Sequence, residues 1–557
     1  MNISVTIRAA LVAWCILPLT TFAQNTIGLL DYNTDALNEG YVLFFPDQQG
    51  TVFLVNECGQ VVHDWPDTQY FPGHGIRFLD NGDLMRMGRD TAATNPLFTA
   101  GGTGQMIQRK DWDNNVLWQY THSSDTACMH HDAEVMPNGN VLIIAWELKT
   151  IGEAREAGMD TTGFGFDMVW PDKIIEVQPV GPDSGTIVWE WHAWDHMVQH
   201  YDLGSDNYGV VADHPELINI NYPSSVGPDM HHINAVDYNP ALDQIMLSTP
   251  FFNELWIIDH STTTAEAAQH TGGNSGRGGD LLYRWGNPMT YGQGTIADRQ
   301  LRFNHATAWL GPGLPPDDPD IGKIIVLNNR AGLNFSSVDI IVPPVDGNGS
   351  YAYTSGSSFD PLTYEQRFVT DPPSDFHSNI MSSGQKLPNG NVFVCSSRQS
   401  WLFQLTPDSS IAWSYINPIM NGEPAAQGSD PAGSGSVFHA IWLAPDHSGL
   451  QGHDLDPIGY IELKPNETFC TLTTSMEAAP NTTGFSLSGT VVTDELTVNA
   501  EVAGDFVIVD AMGRFIRAGR LSAGRSVLAV ADLAAGTYVL QLANASVTGL
   551  RFQVVRP

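Results

Sequence analysis

A histidine that leads a strand recurs along this chain, and the repeat restricts the fold more than any single motif does. It heads HGIRFLDNGDLMRM (His74–Met87), HHDAEVMPNGNVLIIAWE (His130–Glu147), HHINAVDYNPALDQIMLST (His231–Thr249), NHATAWLGPG running on to GKIIVLNNR (Asn304–Arg330), FHSNIMSSGQKLPNGNVFVCSS (Phe376–Ser397) and FHAIWLAP (Phe438–Pro445). Asn-Gly and Asp-Gly pairs between apolar runs make these units hairpins. Several are followed by a second hairpin that ends in an apolar-Trp pair, as in IIEVQPVGPDSGTIVWEW (Ile174–Trp191) and LFQLTPDSSIAWSY (Leu402–Tyr415). Amphipathic helical periodicity is scarce, so the chain reads as all-β. Six units of about four strands each predict a six-bladed β-propeller, with Leu148–Asp172 and Ile258–Arg302 as long insertions. In such a ring the residues just before each inner strand converge on the axis, which predicts a centre lined by histidines.

The ends of the chain read differently. Met1–Ala23 carries Arg8, an apolar run from Ala9 to Leu19 and small or polar residues up to Ala23, the layout of a cleaved secretory signal peptide. No other run approaches the roughly 20 apolar residues that span a bilayer. The propeller is expected over 24–470, a polar linker over 471–484, and a small β-sandwich over 485–557, where short alternating strands contain no histidine. With 25 Lys and Arg against 61 Asp and Glu the net charge is −36. That balance argues against a nucleic-acid partner, since phosphate binding requires a basic surface. Once Cys15 leaves with the signal, Cys58, Cys128, Cys395 and Cys470 remain. None has zinc-site spacing. Export permits a disulfide, either as a ring-closing Cys58–Cys470 bridge or not at all, with four buried thiols.

The insertion WHAWDHMVQHYD (Trp191–Asp202) sets His192, His196 and His200 four residues apart, on one face if it is helical. A lid, plain packing and a metal site all fit that spacing. No carboxylate or cysteine in the segment completes a ligand set, so no metal and no cofactor is expected. The chain also lacks a Gly-rich phosphate loop, a Gly-x-Ser-x-Gly elbow and an aspartate cluster for two metals. What remains is imidazole as nucleophile, acid or base, with Arg330 as a planar cation suited to an oxyanion. The implied chemistry is transfer or hydrolysis of an anionic group. Trp309, Trp401, Phe303 and Phe376 are candidates to stack on an aromatic substrate or to pack the blades.

The stretches DMHHINAVDYNPALDQIMLSTPFFNELWIIDHST (Asp229–Thr262), GGDLLYRWGNP (Gly278–Pro288), FNHATAWL, LNNR and SGQKLPNGNVFVCSS resemble bacterial arylsulfate sulfotransferases over roughly Gly40–Cys470. The resemblance implies a six-bladed propeller that moves a sulfuryl group from an aryl sulfate to a phenol without a nucleotide sulfate donor. Its residues fall on His232, followed by Asn234, on His305, and on Arg330. Its nucleophilic histidine falls on His377, with His439 as the alternative. Where the family has an asparagine two residues after the fourth-blade histidine, this chain has Thr307. His131, His439, Asn234 and Thr307 are expected at the substrate. The implied mechanism is ping-pong: His377 attacks sulfur, Arg330 and His232 stabilise the sulfuryl oxygens, and His305 protonates the leaving phenolate. An aryl sulfate hydrolase and a non-catalytic propeller that binds a ligand or protein are the alternatives. The tail, with VIVDAMGRFIRAG and DLAAGTYVLQL, resembles the sorting domain of the type IX secretion system. That implies the type IX machinery as a partner and a secreted or cell-surface location.

Overall fold

The Pro-Asn-Gly turns close hairpins where the sequence puts them. Gly139 and Gly390 take φ of 84° and 90°, a region that glycine enters without steric cost. The strands they join, Ala127–Val135 with Val141–Glu147 and Ser383–Lys386 with Val392–Ser396, pair antiparallel. A computed structural model of the chain describes residues 25–222, 227–311, 313–431, 433 and 435–470, and beyond them 485–487, 491–500, 503–510, 515–534, 536–542 and 550–555. The expected signal segment Met1–Ala23 and the expected linker Thr471–Gly484 lie outside the described residues. The chain divides into two units, Thr26–Thr473 and one that holds the strands beyond Thr474.

The first unit contains six antiparallel sheets of four or five strands. Their inner-edge strands are Tyr70–Phe78, Ala127–Val135, Ala235–Asn239, Asn304–Trp309, Ser383–Lys386 and Val437–Leu443. Each of these packs on the next, and the last packs on the first, so the arrangement is a closed, propeller-like ring. Both ends of the unit help close it. Val437–Leu443 pairs with Tyr41–Pro46, and Gly28–Tyr32 pairs with Ile411–Ile416. A disulfide joins Cys58 to Cys470 across 412 residues, while Cys128 and Cys395 are buried thiols.

The recurring apolar-Trp pair has a structural reason. In five of the six sheets a tryptophan near the outer edge donates its indole N–H to the neighbouring sheet or its loops: Trp65 to the Asp111 carbonyl at 3.0 Å, Trp118 to Ser184 at 2.8 Å, Trp189 to the Thr262 hydroxyl at 3.1 Å, Trp285 to the Pro361 carbonyl at 2.6 Å and Trp413 to Glu57 at 2.7 Å. Each indole thus fills the seam between sheets with apolar surface and still satisfies its one donor, which would be costly to bury alone. Between the same sheets sit buried Ile, Leu and Val from both sides, as in the cluster of Met85, Ile107, Ile143, Ile175 and Val177.

The segment Trp191–Asp202 does not form the helix that the spacing of His192, His196 and His200 requires. Only Ala193–His196 makes a short 3-10 turn, and Met197–Val198 continues as a strand. The three histidines consequently share no face: His192 lies 3.1 Å from Glu147, His196 is buried 2.8 Å from Asp280, and His200 is exposed.

In the second unit a three-stranded sheet (Phe485–Leu487, Glu495–Ala500, Gly524–Ala529) and a five-stranded sheet that includes Gly504–Asp510 and Gly536–Leu542 contribute to one apolar core around Leu496, Ile508, Leu540 and Phe552. Among the described residues no helix is long and apolar enough to cross a membrane.

Candidate functional site

Three consecutive sheets carry a histidine in the left-handed backbone region, within the inner-edge strand or just ahead of it. His74, His131 and His232 have φ of 89°, 55° and 57°. For a residue with a side chain this conformation costs on the order of 1–2 kcal/mol, and it bends each chain so that the imidazoles meet. Ring centroids are 4.5 Å apart for His131 and His232, 6.0 Å for His74 and His131, and 4.6 Å for His74 and Phe438. His305 completes the group, 6.3 Å from Phe438. The expected ring of six histidines in register is therefore four histidines and a phenylalanine. Phe438 takes the axial place in its strand, and alternation along that strand sends the adjacent His439 elsewhere. His377 stands well ahead of its strand because Met381 and Ser382, at φ of 60° and 82°, turn the chain before Ser383.

Two cavities flank this group. The larger, about 1600 Å³, is lined by His232, Asp229, Arg330 and His377, with Phe251, Phe303 and Trp170 among its aromatic walls. The smaller, about 320 Å³, is lined by His439, Asn234, Thr307, Trp309 and Arg77. The structure thus brings His232, Arg330 and His377 to one space and puts His439, Asn234 and Thr307 on another. His131 and His305 line neither and are almost fully buried. Thr307 is turned toward Met246 Sδ and the Ile325 carbonyl, at 3.5 and 3.4 Å. Of the four aromatic residues that either stack on substrate or pack the blades, only Phe303 lines the large cavity. Trp309 lines the small one, Trp401 stacks on Phe403 at 3.9 Å, and Phe376 packs on the same ring at 5.4 Å.

His232 is oriented by a carboxylate. Its Nδ1 lies 2.5 Å from Asp229 Oδ2, its ring stacks on Phe251 at 4.7 Å, and Asp229 Oδ1 accepts the indole N–H of Trp146 at 3.2 Å. Burial alone would lower its pKa, but the Asp229 carboxylate outweighs burial and raises it. Nδ1 is thereby committed to the carboxylate and Nε2 remains for a ligand. His305 is the opposite case. Its Nδ1 donates to Asn329 Oδ1 at 2.7 Å and its Nε2 accepts the Met381 N–H at 3.2 Å, so neither nitrogen is left to serve substrate. Burial holds His305 neutral, its pKa lowered to about 3.

Behind the axis a second carboxylate organises the paired histidines of HHDAEV and HHINAV. Asp172 Oδ1 lies 2.8 Å from His130 Nε2, and Asp172 Oδ2 lies 3.2 Å from His231 Nδ1, all three residues being buried. His130 Nδ1 is 2.7 Å from His131 Nδ1. Burial, followed by the neighbouring imidazoles, holds the pKa of His131 well below the usual histidine range.

Arg330 and His377 complete the cavity wall. The Arg330 guanidinium lies over the Phe303 ring at 4.3 Å, and its Nε donates to the Asn379 carbonyl at 3.2 Å, leaving the rest of the fork exposed. The His377 loop is pinned by its backbone: the His377 N–H donates to Gln399 Oε1 at 2.9 Å and the Ser378 N–H to Ser336 Oγ at 3.0 Å. The half-buried imidazole is held beside the cavity on that frame. Sequence reasoning missed Asp229, although it stands three residues ahead of His232 in DMHH, and Phe251, which nothing in the pattern marks. As for a metal, His196 Nδ1 and His270 Nδ1 lie 2.8 and 2.7 Å from Asp280 Oδ1, and these three residues could hold an ion away from this cavity.

Residues 26–264 match the family described as Arylsulfotransferase (ASST). The matched segment contains Asp229 and His232, whereas His305, Arg330 and His377 lie beyond it. No curated protein matches the chain. Among solved structures, the chain is similar to a protein of unknown function from Bacteroides caccae, with 11% identity, 73% of this chain and 99% of that chain covered, and a TM-score of 0.37. It is similar to the Cps50 (Swd1) β-propeller domain of Myceliophteria thermophila, with 11% identity over 71% and 90% of the two chains and a TM-score of 0.34. It is also similar to virginiamycin B lyase from Staphylococcus aureus, with 10% identity over 69% and 87% and a TM-score of 0.30. The family that the first half of this chain resembles is thus that of the arylsulfotransferases.

Proposed function

We propose that the protein is an arylsulfotransferase built on a six-bladed β-propeller, which moves a sulfuryl group from an aryl sulfate to a phenol through a sulfohistidine and uses no nucleotide sulfate. The observation that carries this reading is the meeting of His232, Arg330 and His377 at one aromatic-walled cavity, in a chain whose first half matches the arylsulfotransferase family. A nitrogen of neutral His377 attacks sulfur as the bond from sulfur to the aryl oxygen breaks. Arg330 faces the sulfuryl oxygens, whose charge its guanidinium offsets. The departing phenolate takes a proton from Nε2 of His232, whose imidazolium the Asp229 carboxylate favours. In the second half the acceptor phenol returns that proton to His232 as its oxygen attacks sulfur and the N–S bond breaks. This reading gives His232 the acid role expected of His305, because both nitrogens of His305 are engaged.

Release of 4-nitrophenol from 4-nitrophenyl sulfate, measured with and without added phenol, tests the proposal. A transferase releases it faster with phenol, a hydrolase releases it at the same rate, and a binding protein does not release it. We further propose that 485–557 is a β-sandwich sorting domain for type IX export and that Met1–Ala23 is its signal peptide. Deleting 485–557 should then retain the protein inside the cell envelope, and normal release of the truncated chain would contradict the assignment.

A further inference from the structure

The wall of the large cavity carries more positive charge than one sulfuryl group requires. Besides Arg330 it includes Arg299 and Arg302, which reach it from the segment that precedes the strand Asn304–Trp309. The Arg330 backbone N–H donates to the Arg302 carbonyl at 3.1 Å, which ties the two segments together. Among the described residues no carboxylate forms an ion pair with Arg299, Arg302 or Arg330, although carboxylates outnumber Lys and Arg by 61 to 25 in the chain. The Nε of Arg299 is buried without a hydrogen-bond partner. In a protein this acidic, arginines left without a carboxylate at one cavity are held there at a cost, because like charges repel; burial, followed by the neighbouring Arg302, lowers the pKa of Arg299, against a hydrogen bond with Tyr222. Two carboxylates also line the cavity: Asp229, which is committed to His232, and Asp167.

Charge accounting then indicates the ligand. An aryl sulfate monoester brings one negative charge, which the Arg330 guanidinium, on the same cavity wall as His377 and His232, can match. Arg299 and Arg302 remain as two further planar cations suited to a second oxyanion. Resting on the sulfotransferase reading, we infer that the natural donor is an aryl sulfate bearing a second acidic group, a carboxylate or another sulfate ester, which Arg299 and Arg302 hold while Arg330 faces the sulfuryl group being transferred. The aromatic walls at Phe251 and Phe303 hold the ring between the two anionic ends.

The test is calorimetric binding of phenyl sulfate and of 4-carboxyphenyl sulfate to the purified full chain at low salt, with the Arg302→Met and Arg299→Met/Arg302→Met variants alongside. The expected result is that the dianion binds roughly tenfold more tightly than the monoanion, as one added charge-assisted contact provides. The preference should shrink stepwise to about parity in the single and double variants. Because Arg302 is exposed, the single variant reads the effect even if the double variant fails to fold. Equal affinity for the two ligands in the unmodified protein, or a preference that survives Arg302→Met undiminished, overturns the inference. Turnover of 4-nitrophenyl sulfate without any dianion preference defeats this inference alone. Dianion preference without turnover defeats the sulfotransferase reading alone.

Discussion

Replacing Asp229 by Asn removes the carboxylate beside His232 and, with the amide oxygen kept on Trp146, turns an N–H group toward His232 Nδ1. Asparagine keeps an oxygen for the Trp146 indole N–H, so the 3.2 Å contact survives, while the charge beside His232 Nδ1 at 2.5 Å is removed. A hydrogen bond to a charged partner contributes about 1.5–3 kcal/mol. The pKa of His232, raised by Asp229 against the opposing effect of burial, should therefore fall. An acid that must be protonated to serve the leaving group loses activity as pH rises through its pKa, so the alkaline limb of kcat/KM should move to lower pH by the same amount. The assay is the release of phenol from phenyl sulfate, a poor leaving group that depends on protonation, followed by chromatography across the pH range. If Asp229→Asn leaves that limb in place and the rate within twofold of the unmodified protein, His232 does not act through Asp229.

Three further outcomes follow from the packing. In Gly102→Ala the new Cβ would sit 2.1 Å from Cε1 and Nε2 of His131 at a backbone φ of 83°, so the substitution should lower thermal stability by about 2 kcal/mol or more and displace His131; an unchanged melting temperature would contradict the geometry. Cys58→Ser opens a loop of 412 residues and should cost about 2–5 kcal/mol in denaturant unfolding; no change in midpoint would show that the bridge does not form. His305 titrates near 3 when folded and about 6.5 when unfolded, so the folded chain binds fewer protons below 6.5 and its stability falls as pH drops through that range. Between pH 7 and 5 His305 alone should cost about 2 kcal/mol, and His305→Gln should reduce this loss in unfolding titrations.

The β-class and the ring were legible because their causes are local. Glycine at positive φ closes each Pro-Asn-Gly hairpin, and the apolar-Trp pairs mark strands whose indoles must reach a neighbouring sheet. The site was legible only in part, because a strand that starts a few residues late carries its histidine to another space. That shift separates His377 from the axis and gives Phe438, not His439, the axial place. Asp229 went unread because nothing in the sequence pattern ties it to His232, and only the fold turns its carboxylate onto that ring. The arginines at 299 and 302 sit in an insertion without periodicity, where sequence gives no direction for a side chain. The four-residue spacing of His192, His196 and His200 misled for the same reason: spacing has meaning only on a helix, and none forms there.

In the sulfotransferase proposed, a histidine of the large cavity carries the sulfuryl group between donor and acceptor. The most direct test is mass spectrometry of the protein after brief exposure to 4-nitrophenyl sulfate without acceptor. One added sulfuryl group is expected on the peptide containing His377, lost when phenol is supplied. A sulfuryl group on the peptide containing His439, or none on any histidine while transfer proceeds, would contradict it.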